Sequence, residues 1–113
     1  MEPIYVSTDT ELEQAVRRCA DSSVIALDTE FARFNTYYPM VGLVQIATQQ
    51  HCFLIDPLAI SNLVPLAELL SRSDLLKVVH AGSEDMEVFQ YALGITPAPV
   101  FDTQIATAAL GIG

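Results

Sequence analysis

The sequence predicts an α/β fold: a mixed β-sheet with helices packed on it. Three observations carry this. Short apolar runs of strand length recur at 4–6, 24–28, 41–47, 52–55, 76–79 and 100–101. Helical spacing of apolar residues fills several of the gaps between them. The runs at 24, 41 and 52 are joined by short loops and suit antiparallel pairing, whereas the later strand–helix–strand alternation needs crossovers and suits parallel pairing. At 113 residues this is one domain, long enough to bury a sizeable core, with about five main strands.

Each element has a local reason. Residues 4–6 read as a short strand at an edge. Ser7 to Asp9 offer helix caps, and Leu12, Ala15, Val16 and Cys19 then recur at helical spacing to about Ala20. The run 24–28 is nearly continuous in apolar character, as a central strand should be. Residues 32–40, ARFNTYYPM, form a polar and aromatic loop. Two strands follow, with a turn at Gln49-Gln50 between them. Leu63, Leu66, Leu69 and Leu70 share a helix face, and Pro65 is tolerated in the first turn. After the strand at 76–79, Gly82-Ser83 opens a helix that Gly94 ends. A strand at 100–101, a cap at Asp102 and a last helix from 103 to 110 complete the pattern. That last apolar element has nothing after it to cover it. The chain end reads as a cut inside a larger domain, leaving a surface suited to self-association.

Composition excludes several classes. No apolar run approaches the roughly 18 residues needed to span a bilayer, and the N-terminal segment MEPIYVSTDTELEQ lacks a signal core. Cys19 and Cys52 provide neither a disulfide framework nor metal-ligand spacing. A cytoplasmic protein with reduced thiols is the expectation. The net charge of −9 argues against tight nucleic-acid binding by this chain alone, unless some acids are ligands neutralised by cations.

The segment VIALDTEF supplies such acids. Strand residues two apart share a face, so Asp28 and Glu30 project together from the C-terminal end of a buried strand. Two like charges at a core edge are costly without a neutralising partner. In KVVHAGSEDMEVFQYAL, the apolar arc of the helix is set by Met86, Phe89, Ala92 and Leu93. Asp85 falls inside that arc, whereas Glu84 and Glu87 fall on the solvent side as first-turn acids. Three acids then converge on the C-terminal edge of an α/β sheet, where ligands bind. An oxygen-only set suits two hard divalent cations, Mg²⁺ or Mn²⁺. The chemistry that follows is two-metal phosphodiester hydrolysis, with Asp28 bridging both ions.

ALDTEF, followed by TYYP-x-x-G-L-x-Q, the IDPL segment, KVVHAGSEDMEVF and FDTQIA, resembles ribonuclease D, of the tyrosine subclass of DEDD 3'-5' exonucleases. The resemblance runs from about Ile4 to the last residue. It implies a ribonuclease H-like fold with Asp28, Glu30 and Asp85 as catalytic metal ligands. It also implies trimming of transfer-RNA precursors and other structured RNA 3' ends, with release of 5'-mononucleotides. The third motif of that family, Tyr-x-x-x-Asp on a later helix, has no match here, nor do the family's C-terminal helical RNA-binding domains. Asp102 is an N-cap by position rather than a substitute ligand.

Other residues flank the proposed site. Arg33 can touch a phosphate, Tyr37 and Tyr38 can stack on bases or pack their loop, and His80 can contact substrate or pack. Gln45 can face either side, His51 reads as solvated, and Lys77 reads as a solvated gatekeeper. Two alternatives stand beside the exoribonuclease reading. One is a catalytically silent fragment binding a metal weakly or a partner protein; the other is an exonuclease directed at DNA.

Overall fold

A computed structural model describes residues 2–32, 40–80 and 83–104; the side chains of 31, 32, 40, 41, 83–85 and 88 are not among those described. In chain order the elements are β1 (Pro3–Val6), α1 (Asp9–Cys19), β2 (Val24–Ala32), β3 (Met40–Ala47), β4 (Cys52–Ile55), α2 (Val64–Leu70), β5 (Leu76–Val79), α3 (Ser83–Leu93) and β6 (Val100–Asp102). The strands form one sheet in the order β1-β4-β3-β2-β5-β6. The five main strands expected from sequence become six because both short outer runs join the sheet as edges. The helix expected over 103–110 lies outside the described residues beyond Gln104.

Pairing follows the loop lengths. β2 with β3 and β3 with β4 are antiparallel, while β1–β4, β2–β5 and β5–β6 are parallel. Each parallel crossover steps the same way across the sheet, so right-handed connections place their helices on one face. Burial agrees: Leu12 of α1, Leu66 of α2 and Phe89 of α3 share one core with Ile25, Val44 and Phe53 of the sheet. The alternate residues of the strands look the other way. Tyr5, Val24, Ala26 and Gln45 are exposed on that opposite face.

Caps fix the helix ends. Thr8 accepts from the Glu11 amide at 3.1 Å, and the Glu11 carboxylate accepts from the Ser7 amide at 3.1 Å. Asp9 Oδ1 accepts from the Ser61 and Asn62 amides at 2.9 and 3.1 Å, tying the start of α1 to the approach to α2. Pro65 sits in the first turn of α2. Gly94 ends α3 at φ 70°, a conformation that costs residues with a Cβ, and its amide donates to Gln90 O at 3.0 Å.

Two side chains correct the sequence reading. Lys77 is fully buried rather than solvated. It pairs with Ile25 in the β2–β5 register and so faces the core. Its ammonium donates to the carbonyls of Arg72 at 2.6 Å and Ala98 at 2.9 Å, which is what makes a buried cation tolerable. Burial still pushes its pKa below the ordinary lysine value. His51 is half-buried and stacks on Phe53 with centroids 5.7 Å apart, because the 48–51 turn folds back over the sheet end.

Replacing Lys77 with Ala should remove both carbonyl contacts and leave a void. We expect a loss of about 2–4 kcal/mol in urea unfolding; an unchanged midpoint would contradict the role assigned to this lysine. Burial also pushes the Cys19 thiol from 9.0 up to about 11, with Arg72 pulling weakly the other way. The unfolded thiol therefore ionises first, and stability present below about pH 9 is lost as pH rises towards 11. The loss amounts to about 3 kcal/mol. Comparing Cys19→Ala with the parent from pH 8 to 10.5 isolates this term from Lys77, and the variant should lack that share of the decline.

Candidate metal and nuclease site

β2 is the longest strand and outruns its parallel neighbour. Its pairing with β5 covers only Val24–Ala26, whereas its pairing with β3 continues to Ala32. Along it, Ile25, Leu27 and Thr29 are buried while Ala26, Asp28 and Glu30 are exposed on the other face. The sequence placed both acids on one face, and the structure does the same. Strand geometry sets their Cα atoms about 6.6 Å apart. Both stand near the C-terminal end of β2, on the side away from the shared core.

The row across the sheet from Asp28 runs to Gln45 and then Leu54. Glu30 stands opposite Leu43. These residues, with Cys52, line an open trough of about 350 Å³ containing both carboxylates. Gln45 therefore faces the acids, settling the orientation that sequence left open, and its amide donates to Cys52 Sγ at 3.6 Å. Directly past Glu30 the ladder slips: Glu30 pairs with Leu43 but Phe31 pairs with Val41, so Gly42 is an extra residue. Such bulges re-aim a strand and are common beside active sites.

Asp28 Oδ1 accepts from the Thr29 amide at 2.9 Å, which orients the carboxylate, and no described residue bonds to Oδ2. Among the described residues, the ion pairs are Arg17–Glu13 at 3.8 Å and Arg72–Asp74 at 2.9 Å, both elsewhere. Asp28 and Glu30 thus share a face with no described basic partner. That donor set, oxygen-only and open to solvent, fits a hard divalent cation.

Asp85 is the third residue of α3, one turn before buried Phe89, and α3 packs against β3. Its side chain lies outside the described residues, so the structure brings together two of the three acids. No cluster of three metal-ligating side chains is assembled among the described residues. Met86 and Leu93 are half-buried and Glu87 is exposed, as the helix wheel required; Ala92 is exposed, which narrows the apolar arc. Arg33, Tyr37 and Tyr38 lie outside the described residues. His80 is exposed at the end of β5, with Nδ1 2.7 Å from Thr103 Oγ1. Asp102 Oδ1 accepts from the Gln104 amide at 2.9 Å, the capping role expected of it. Sequence reading missed Thr103, whose only signal was its place after a strand end.

With fold and acids in place, comparison with known proteins is informative. The 3'-5' exonuclease family model matches residues 3–113, and the chain belongs to that family. Within it, the chain is similar to ribonuclease D of Serratia proteamaculans, 46% identical over 106 residues, which are 94% of this chain and 28% of that protein. Its fold superposes on the crystal structure of Escherichia coli RNase D with a TM-score of 0.91 at 44% identity, covering 96% of this chain and 29% of that one. Trypanosoma brucei RNase D in complex with RNA U12 gives a TM-score of 0.86 at 26% identity, covering 96% and 39%. The chain thus spans about three-tenths of the length of the two bacterial ribonuclease D proteins and about two-fifths of the Trypanosoma brucei one. The fold is ribonuclease H-like. No helix among the described residues is long and apolar enough to cross a membrane.

Metal binding can be tested without turnover. Mn²⁺ added to the metal-free chain should raise Tm, by the equivalent of about 2.7 kcal/mol at a hundredfold excess over Kd. Asp28→Ala should abolish most of the rise. An equal rise in that variant would place the cation elsewhere.

Proposed function

We propose that this chain is the core of a 3'-5' exoribonuclease that hydrolyses the terminal phosphodiester bond of RNA and releases 5'-mononucleotides. The observation that carries the proposal is the paired, exposed Asp28 and Glu30 at the C-terminal edge of the sheet, without a described cationic partner. Family membership supports it. E. coli RNase D is described as an exoribonuclease involved in structured RNA processing. By analogy, the substrates are structured RNA 3' ends such as transfer-RNA precursors, and the setting is the cytoplasm.

Asp28, Glu30 and Asp85 would hold two divalent cations, Mg²⁺ or Mn²⁺. When bound, such a pair activates the attacking water and stabilises the departing 3' oxygen. Water oxygen bonds to phosphorus and gives up a proton to solvent, the bond from phosphorus to the 3' oxygen breaks, and that oxygen takes up a proton in turn. The Thr29 amide holds Asp28 in one orientation, reducing the reorganisation needed when charge develops. Arg33 would contact a phosphate, and Tyr37 and Tyr38 would stack on bases without reading sequence. His80 would contact the substrate end.

The net charge favours one other reading: a chain that holds metal but does not turn over. One experiment separates them. A 5'-labelled single-stranded RNA is incubated with this chain and Mn²⁺, beside Asp28→Ala and beside DNA of the same sequence. Metal-dependent 3' shortening that falls by about 10²- to 10³-fold in the variant supports the enzyme. No shortening by a folded chain supports the second reading, and equal digestion of DNA would redirect the substrate assignment.

A further inference from the structure

His80 stands one residue past the end of β5, and Thr103 one residue past the end of β6. The two strands are parallel with Val79 opposite Asp102, so the next step of the register sets His80 beside Thr103. Their side chains meet, with His80 Nδ1 2.7 Å from Thr103 Oγ1. Thr103 Oγ1 also donates to the Val79 carbonyl at 3.3 Å. A hydroxyl has a single proton and two lone pairs. With the proton given to Val79, the oxygen accepts from His80, so Nδ1 carries the ring proton. In the neutral ring Nε2 is then an acceptor. No described residue bonds to Nε2, and the ring is exposed.

The parallel register on the other side of β5 pairs Ala26 with Val78. That ladder stops there, and His80 lies just past the end of β5, the strand next to the one that carries Asp28. An acceptor that no described residue occupies thus stands on the strand next to the one that carries the first acid of the site. Phosphate oxygens only accept, so a neutral Nε2 offers them nothing. A sugar hydroxyl donates, and the hydroxyl that RNA has and DNA lacks is the 2'-OH.

We infer that His80 Nε2 accepts a hydrogen bond from a ribose 2'-hydroxyl near the RNA 3' end, with Thr103 as the positioning residue that holds the ring in its Nδ1-protonated form. The inference rests on the exonuclease reading and gives that site its preference for RNA.

Two measurements on this chain test it. Long-range ¹H–¹⁵N spectra should show the His80 Nδ1–H tautomer in the parent and in Thr103→Ser, and its loss in Thr103→Val; an Nε2-protonated ring in the parent overturns the inference. Equilibrium binding of a labelled RNA octamer and its DNA counterpart, with Ca²⁺ replacing Mg²⁺, should favour RNA by about fivefold. His80→Ala and Thr103→Val should bring that ratio towards one by weakening RNA alone, while Thr103→Ser keeps it. Equal weakening of both polymers, or of neither, overturns the inference and leaves the exonuclease reading standing. A parent chain that binds neither polymer overturns both.

Discussion

The two-sidedness of β2 is the constraint on which the rest depends. Strand geometry forces successive side chains to opposite faces, so one strand has to satisfy two environments at once. Ile25 and Leu27 complete the core beneath the helices, while Asp28 and Glu30 stand on the face the helices leave open. Neither set can shift without the other, because a one-residue slip would drive carboxylates into the core and leucine into water. The hydrophobic effect thereby fixes the position of a charged pair it does not touch. The energy that holds the acids together against their mutual repulsion comes from apolar contacts on the far side of the same backbone.

The neighbouring strands extend this arrangement into a site. β3 lays Gln45 and Leu43 opposite the acids, and β4 adds Leu54 and Cys52 to the trough floor. On the other side, β5 ends early, which leaves Asp28 and Glu30 outside its ladder, with His80 just past the strand's end. Lys77 anchors that short strand from below, through carbonyls of the segments before and after it. The edge of the sheet is therefore ragged where the acids lie, and the raggedness is what gives a ligand room.

Much of this was legible in the sequence. The Asp-x-Glu spacing on an apolar run has one reading in strand geometry, and Gly94 and Pro65 marked helix boundaries through backbone restrictions that act locally. Lys77 was misread because its neutralisation is not local: one acceptor lies five residues before it and the other twenty-one after it. His51 was misread for a related reason, since a polar residue in a turn gives no sign that the turn will fold onto Phe53. Thr103 went unnoticed because its partner is set by the pairing of two strands that sequence cannot align. The −9 charge weighs against nucleic acid only as far as its acids stay unneutralised, and two of them stand exposed on one face where a cation could neutralise them.

The extra residue at Gly42 has a consequence for how such a site can diversify. Below it, Asp28 and Glu30 are indexed by a ladder whose register is locked to the core. Above it, the pairing is offset by one residue, Phe31 with Val41 and Ala32 with Met40. The bulge acts as a coupling joint: a change in the two pairs beyond it can be taken up there without altering the spacing of the two carboxylates.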